Sequence, residues 1–395
     1  MRLQNKKVIV ITNSSSYEPR AEWIGELFKK QGAHVLWVET DFIHREKVKK
    51  VRSAPDHIYI DTVPYRKNLS VRRLYSQYDF AKKVEKLLEK EKADLIYMIL
   101  PANSLAAVGD RLKRKMNTAM LVFDVLDLWP ESLGGKKFQK LWPFQYWRRL
   151  RDDHLNAADL VITECRYFQE FVKAKKEKTA VVYWPKEVPE NWKMEDTAVE
   201  TNGESNHSVI HFAYLGSINN IIDKEGITGF LEAVKSMKPV CLHVVGDGEK
   251  KALFEETLKS KGIDAHFYGA VYEEEKKKEI FSKCAFGINM MKPGVCVGLT
   301  MKSIDYFCYG LPLVNNIPGD TWELVEKEQI GINYQQERDA EKLLTLFDNV
   351  KMKEMKCKMQ QLYTELFTPE AVEKVIRERV FPLLEDRGTK EQSVK

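Results

Sequence analysis

The stretch Gly298-Leu299-Thr300-Met301-Lys302-Ser303-Ile304-Asp305-Tyr306-Phe307-Cys308-Tyr309-Gly310-Leu311-Pro312 holds the densest set of chemically useful residues in this sequence. A loop of small residues opens a helix whose first turn carries Lys302 and Ser303. Free amides at a helix N-terminus, joined by an ammonium, make an anion site suited to a diphosphate. Asp305 stands one turn further on, in reach of ribose hydroxyls beside such a phosphate. Gly310 stops the helix and Pro312 follows it. Lys302 and Asp305 are also three residues apart, the spacing of a helix-surface ion pair.

Two further segments suit the same ligand. In Tyr214-Leu215-Gly216-Ser217, Gly216 lets the backbone approach a phosphate and Ser217 adds a hydroxyl donor. Val244-Val245-Gly246-Asp247-Gly248-Glu249 ends an apolar run and opens a helix. Gly246 and Gly248 free that turn for a ligand, although Gly-x-Gly also serves plain strand-to-helix turns. In the first half the carboxylates of interest are Asp127 and Glu131. A carboxylate beyond a strand end can orient an acceptor hydroxyl or take its proton. Asp127 is equally placed to cap a helix begun by Pro130. Asp124, nearer the strand, reads as structural.

Such residues must be held at strand ends, and the sequence supplies the strands. Short apolar runs are expected as strands at 7–13, 34–39, 57–63, 95–101, 120–125, 160–165 and 180–184. The pattern restarts at 209–215, 240–245, 265–268, 285–290, 313–315 and 331–334. Helical periods fit 21–31, 71–92, 226–236, 249–261, 273–283, 302–309 and 340–366, with a last helix from Pro369 to about 384. Nearly continuous apolar strands alternating with helices imply parallel sheets covered on both faces. The fold class is therefore α/β, with two doubly wound domains: 1–188, a polar linker at 189–207, and 208–367. The best cleft is expected between them.

The 395 residues and 46.0 kDa allow two domains, and 44% hydrophobic with 31% charged residues is a globular composition. No apolar run approaches the roughly 20 residues that span a bilayer. The start of the chain shows no signal-peptide pattern, and six scattered cysteines without Cys-x-x-Cys read as free thiols of a cytoplasmic protein. Residues 1–190 carry 36 Lys+Arg against 25 Asp+Glu, a balance of +11; the remainder carries 27 against 33, a balance of −6. A basic half facing an anionic partner fits nucleic acid, anionic lipid or a diphosphate-linked substrate, and ordinary surface variation gives such a balance too. No His-Glu-x-x-His, Cys-rich metal cluster, Walker loop or Gly-x-Ser-x-Gly elbow occurs. The histidines at 34, 57, 211, 243 and 266 fall in strand patterns, where sheet packing is the expected role.

The order strand-Gly-Ser, Gly-Asp-Gly-Glu, Tyr-Gly-Ala-Val (268–271) and Lys-x-x-Asp-Tyr-x-x-x-Gly-x-Pro resembles the second domain of GT-B glycosyltransferases. Within them it is most similar to the retaining family 4, which uses nucleotide sugars. The segment Asp127-Leu128-Trp129-Pro130-Glu131-Ser132 resembles one in bacterial capsule, O-antigen and exopolysaccharide transferases of that group. The resemblance spans nearly the whole chain and implies a helix and tail at 368–395 that cross back to the first domain. It implies transfer of a sugar from a nucleoside diphosphate sugar, of UDP type, to a glycan or lipid-linked glycan acceptor in cell-surface polysaccharide synthesis. It also implies Lys224 as a second phosphate-binding cation. No resident cofactor is expected: cationic and amide contacts stabilise the departing diphosphate without a metal, and no Asp-x-Asp is present. The sequence departs from the family where Val297 replaces the first of two glutamates eight apart, leaving the Pro293-Gly294-Val295 backbone as the candidate for sugar contacts. Ser217, Ile218 and Asn219 replace the usual arginine. A non-enzymatic partner of another transferase and a nucleotide-sugar epimerase share this architecture.

One segment stands apart: Leu141-Trp142-Pro143-Phe144-Gln145-Tyr146-Trp147-Arg148-Arg149-Leu150-Arg151 interleaves aromatics with arginines. That pattern suits the inner face of an anionic membrane or a lipid-linked diphosphate, suits single-stranded nucleic acid, and suits an amphipathic helix packed on its own domain. With the resemblance, the reading taken forward is peripheral membrane contact and no nucleic acid.

Overall fold

The computed structural model describes residues 3–116, 119–133, 139–188 and 209–385. The expected linker at 189–207 lies outside the described residues. The chain divides into two units, Met1–Trp184 with Val372–Lys395, and Pro185–Ala371.

In the first unit the strands are β1 (Lys7–Thr12), β2 (His34–Thr40), β3 (Phe42–Ile43), β4 (Val48–Lys49), β5 (His57–Ile60), β6 (Leu95–Leu100), β7 (Met120–Val125), β8 (Leu160–Thr163) and β9 (Thr179–Val181). The helices are α1 (Glu18–Lys30), α2 (Val71–Leu88), α3 (Ser104–Met116) and α4 (Trp142–Asp152). Seven strands form a parallel sheet in the order β5-β2-β1-β6-β7-β8-β9; β3 and β4 make a separate hairpin that the short Phe42 to Lys49 stretch did not signal. All six residues of β6 are buried, as a strand covered on both faces requires.

In the second unit the strands are β10 (Ile210–Leu215), β11 (Val240–Val245), β12 (Asp264–Gly269), β13 (Phe286–Asn289), β14 (Leu313–Asn315) and β15 (Gly331–Asn333). The helices are α5 (Lys224–Lys235), α6 (Lys251–Ser260), α7 (Glu274–Ser282), α8 (Met301–Cys308), α9 (Asp320–Glu328), α10 (Asp339–Leu346) and α11 (Asn349–Leu366); α12 (Pro369–Arg379) begins in this unit and from Val372 belongs to the first. The sheet runs β12-β11-β10-β13-β14-β15, all parallel. That is the doubly wound order 3-2-1-4-5-6, with the chain reversing direction between β10 and β13. Its core centres on Phe212, Phe230 and Phe286, the first two rings meeting edge to face at 5.6 Å.

The expected single helix over 340–366 is two. Phe347 leaves helical geometry, and the Asp348 side chain then caps α11 by accepting from the amides of Val350 and Lys351. The last helix carries the chain back to the first unit, where Phe381 packs on Phe28 of α1 at 5.3 Å and Arg379 donates to the Thr179 carbonyl. Among the described residues no helix is long and apolar enough to cross a membrane.

Candidate functional site

Beyond the carboxyl end of β10, at the switch point, lies a cavity of about 210 Å³. Open doubly wound sheets bind ligands at this place. Its walls come from the end of β10 and the loop after it (Leu215, Gly216, Ser217, Asn219, Ile221, Ile222), from Met291 after β13, and from Thr300, Met301 and Lys302 at the start of α8.

The walls are fixed by specific bonds. Tyr306 of α8 is fully buried, and its hydroxyl accepts from the Leu215 amide at 2.8 Å, pinning the end of β10 to the helix that carries Lys302. Gly287 in β13 makes room for that ring: a Cβ there would sit 2.8 Å from it. The Asn219-to-Asp223 loop is stitched to β13's exit by a bridge between Ile222 and Met291 and by the Lys292 amide donating to the Ile221 carbonyl. Thr300 caps α8, accepting from the Ser303 amide at 3.2 Å.

Lys302 is the cation of the site. Its residue is 9% exposed, its ammonium lies 4.6 Å from the centroid of the Tyr214 ring, and it forms no ion pair among the described residues. Burial alone pushes its pKa down to about 8. A buried ammonium lacking a carboxylate partner invites an anion.

The structure brings Gly216, Ser217 and Lys302 together and sends the other expected ligands elsewhere. Ser303 is fully buried; its hydroxyl accepts from Asn289 at 2.7 Å and pairs with Thr300 at 2.8 Å, so it braces the helix start rather than meeting solvent. Gly246 and Gly248 lie behind the wall. A Cβ at Gly246 would collide with the Gly216 carbonyl and one at Gly248 with the Ile218 carbonyl, so these glycines let two loops pack, with Ile218 donating to the Asp247 carbonyl at 2.9 Å. Asp305 makes no pair with Lys302. Lys186 holds it at 2.9 Å and reaches Glu274 at 3.1 Å, and Asp305 is not part of the cavity wall. Lys224 is buried in the first turn of α5 behind the cap Asp223, outside the wall, without an ion pair among the described residues. Thr300, Ile221, Ile222, Met291 and Met301 are wall residues that sequence spacing did not single out. Only the cap position of Thr300, three before Ser303, carried a signal.

In the first unit Asp127 follows β7 and is half-buried. Burial raises its pKa, against hydrogen bonds from Ser132 and the Leu128 amide and the nearby Arg73 charge, and the Tyr17 hydroxyl approaches it at 3.5 Å. Among the described residues that follow it, Glu131–Leu133 form a single 3-10 turn. Glu131 is not a free carboxylate. The fully buried Arg151 holds it at 2.7 Å and holds Asp152 at 2.9 Å, a network inside the domain. Asp124 is structural, as expected: Arg20 donates to it at 3.0 Å and Tyr97 at 2.6 Å, and Arg20 also bonds the carbonyls of Val182 and Tyr183. The aromatic segment splits. Trp147 and Arg151 are buried, while Leu141, Trp142, Tyr146 and Arg149 are exposed, with the Trp142 and Tyr146 rings stacked 5.9 Å apart.

One group of potential metal ligands appears among the described residues: His211, Cys241 and His243, whose ligand atoms lie within 4.8 Å of one another. The histidines bond each other at 2.9 Å, and His243 bonds Tyr268 at 2.8 Å. His211 and Cys241 are second in β10 and β11 and His243 is fourth in β11, so the group lies within the strands rather than at the ends that bear the cavity.

Neither a protein-family model nor a curated protein sequence matches the chain. Solved structures match it in fold. Sucrose-phosphate synthase from Thermosynechococcus elongatus aligns with a TM-score of 0.68 at 14% identity, over 97% of this chain and 100% of that one. HepE from Anabaena, solved in complex with UDP and glucose, aligns with a TM-score of 0.64 at 15% identity, over 96% and 100%. The lipopolysaccharide outer core galactosyltransferase WaaB gives 0.64 at 12% identity, over 95% and 99%. At such identities the likeness is one of fold: this chain shares the GT-B architecture of two Rossmann-like domains with these glycosyltransferases.

Proposed function

We propose that the protein is a glycosyltransferase of the retaining family 4 type, moving a sugar from a nucleoside diphosphate sugar, of UDP type, to a glycan or lipid-linked glycan. The observation that carries the reading is the buried, unpaired ammonium of Lys302 in the wall of a cavity at the switch point of a doubly wound sheet. UDP bound to HepE and a galactosyltransferase activity for WaaB lend it support by fold analogy.

In this reading Lys302 and the backbone around Gly216 and Ser217 receive the diphosphate. The bond from the sugar's anomeric carbon to the phosphate oxygen breaks, and its electron pair leaves on the nucleoside diphosphate, where the ammonium offsets the growing charge. The acceptor hydroxyl oxygen bonds to the anomeric carbon and its proton passes to Asp127. A carboxylate whose pKa is raised by burial is a better base for that step. Lys224, buried behind the cavity wall, is proposed as the second cation, adding positive charge from outside the wall, and Lys186 fixes Asp305 one turn beyond Lys302. Lys302 supplies the charge assigned elsewhere to a metal, so the reaction is proposed to be metal-independent.

The exposed Leu141, Trp142 and Tyr146, and the exposed stripe Val71, Tyr75 and Tyr78 on α2, favour a place at the inner face of an anionic membrane, where lipid-linked acceptors of polysaccharide synthesis reside. A second reading, a non-catalytic partner of another transferase, draws on Glu131 being locked by Arg151. Thermal stabilisation by UDP, GDP and ADP, with and without EDTA, separates these. Selective stabilisation by UDP that persists in EDTA, with slow hydrolysis of a UDP-sugar, supports the transferase. Stabilisation by none of the nucleotides would favour the partner.

A further inference from the structure

The carboxyl ends of the first unit's sheet carry a second cluster that the nucleotide cavity does not use. The turn between β3 and β4 presents His44 and Lys47, the segment before α2 brings Tyr65 and Asn68, and the first turn of α2 brings Arg73. His44 Nδ1 lies 2.5 Å from the Tyr65 hydroxyl and 3.3 Å from Lys47 Nζ, and the His44 amide donates to Ser15 Oγ at 3.1 Å. Lys47 Nζ donates to Asn68 and stands 5.0 Å from the Tyr65 ring centroid. The Arg73 guanidinium lies 4.3 Å over the Trp129 ring, its Nη1 donates to the Asn68 carbonyl at 3.0 Å, and its Nε is buried with no acceptor. The Ser70 side chain caps α2 by accepting from the Arg73 amide, which fixes the arginine's backbone.

Charge is unbalanced in this cluster. Arg73, Lys47 and Arg45 all act on His44, whose pKa burial and these cations hold at about 4. Neither Arg73 nor Lys47 forms an ion pair among the described residues, and Glu46, the acid within the turn, is taken by Lys50 at 2.8 Å. Asp127 and Tyr17 feel the Arg73 charge, so the cluster borders the proposed base. Cations held side by side, an imidazole kept neutral and a buried N–H donor without an acceptor form an arrangement completed by an oxyanion. A guanidinium fork, an ammonium and a phenol hydroxyl offer the several converging donors that a tetrahedral phosphate takes.

We propose that Arg73, Lys47 and the Tyr65 hydroxyl form a phosphate-binding subsite for the acceptor, which is therefore a phosphate-bearing molecule whose reacting hydroxyl lies on the Asp127 side of Arg73. The word acceptor rests on the transferase reading; the phosphate subsite does not. A sugar phosphate monoester and a lipid-linked diphosphate share this chemistry.

The test titrates inorganic pyrophosphate by calorimetry into the full chain saturated with UDP, so that the nucleotide cavity is closed to the probe. Arg73→Gln with Lys47→Gln should weaken pyrophosphate at least tenfold and leave UDP affinity within twofold. Unchanged pyrophosphate affinity in a variant of native thermal stability overturns the subsite. If the double variant does not fold, Arg73→Lys, which keeps the charge and loses the fork, should weaken the probe several-fold, and no change overturns the proposal. Failure of UDP to bind sinks the nucleotide reading instead, and the wild-type and variant titrations are then compared without it. In competition, displacement of pyrophosphate by a hexose 6-phosphate identifies a soluble acceptor, and displacement by a short-chain prenyl diphosphate identifies a lipid one. Displacement by neither overturns the acceptor role.

Discussion

The ammonium of Lys302 lies 4.6 Å from the centroid of the Tyr214 ring, and Tyr306, one turn along the same helix, holds the end of the strand that carries Tyr214. The aromatic face offers the cation an electrostatic partner that, unlike a carboxylate, leaves it available to an incoming anion. One helix thus supplies both the charge of the cavity and the bond that sets the wall opposite.

Lys302→Ala should weaken nucleoside diphosphate binding by about 1.5–3 kcal/mol, the range for a hydrogen bond to a charged group. The lysine's pKa of about 8 adds a pH signature. A lysine pKa below its unfolded value means that the unfolded chain holds the proton and the folded chain does not between about 8 and the ordinary lysine value. Stability therefore rises with pH across that window in the free protein. Binding of a diphosphate reverses the preference, so it should take up a proton near pH 8 and weaken as pH rises beyond it. Calorimetry in two buffers of different ionisation enthalpy checks both, and a pH-independent affinity from 7 to about 9 would falsify the assignment.

Asp127→Asn should lower kcat by about 10²–10⁴, the usual contribution of a general base. Burial raises the pKa of this carboxylate, so the charged form is disfavoured in the folded state and stability falls as pH rises through that range. The amide removes that penalty, and the variant's melting temperature should hold or rise at pH 7. Retained turnover in the folded variant would remove Asp127 from the chemistry.

Glu131→Ala should behave in the opposite way. It leaves Arg151 buried with Asp152 as its remaining carboxylate partner. Breaking a buried ion pair by deleting one partner costs about 3–5 kcal/mol. The loss should appear as a lower denaturant midpoint. A normal midpoint with abolished turnover would restore Glu131 to a catalytic role.

Gly246→Ala should destabilise the second unit by about 1–3 kcal/mol, the usual toll of overpacking, since the added methyl meets the Gly216 carbonyl. The displaced Gly216 loop should also weaken nucleotide binding. Native affinity at native stability would show that the two loops do not depend on each other.

The sheets were legible in the sequence because their strands are nearly continuous apolar runs, as in β6 and β11, where all six residues are buried. The break at Asp348 was not, because leucine and methionine spacing continues across it and only the cap geometry ends the helix. The place of Lys302 and Gly216 in the cavity wall was readable from helix-start and strand-end chemistry. Ser303 and Gly246 carried the same signals and serve packing instead: a small polar residue in a first turn suits a ligand or a buried bracket equally, and the difference lies in Asn289, 14 residues earlier. The Arg73 cluster draws on residues from Ser15 to Trp129, a juxtaposition set by topology rather than spacing.

Exposed residues of the aromatic segment, not its buried ones, decide membrane contact. Arg151 is buried against Glu131, so replacing it would unfold the network rather than probe a surface. Trp142 is 75% exposed and Tyr146 53%, stacked on each other beside exposed Arg149, while Phe144 is half-buried and Trp147 belongs to the core. Two exposed aromatics suit shallow insertion at a headgroup boundary. Each Lys or Arg near an anionic surface adds about 1 kcal/mol and is screened by salt. Co-sedimentation with vesicles containing anionic lipid should therefore be strong at low salt, fall at high salt, and drop by about tenfold in the pair Arg148→Gln and Arg149→Gln. Trp142→Ala with Tyr146→Ala should weaken binding at both salt concentrations, because apolar insertion is not screened. Equal and negligible sedimentation with anionic and neutral vesicles at low salt would overturn membrane contact and leave the basic balance of the first half to the acceptor or to no partner.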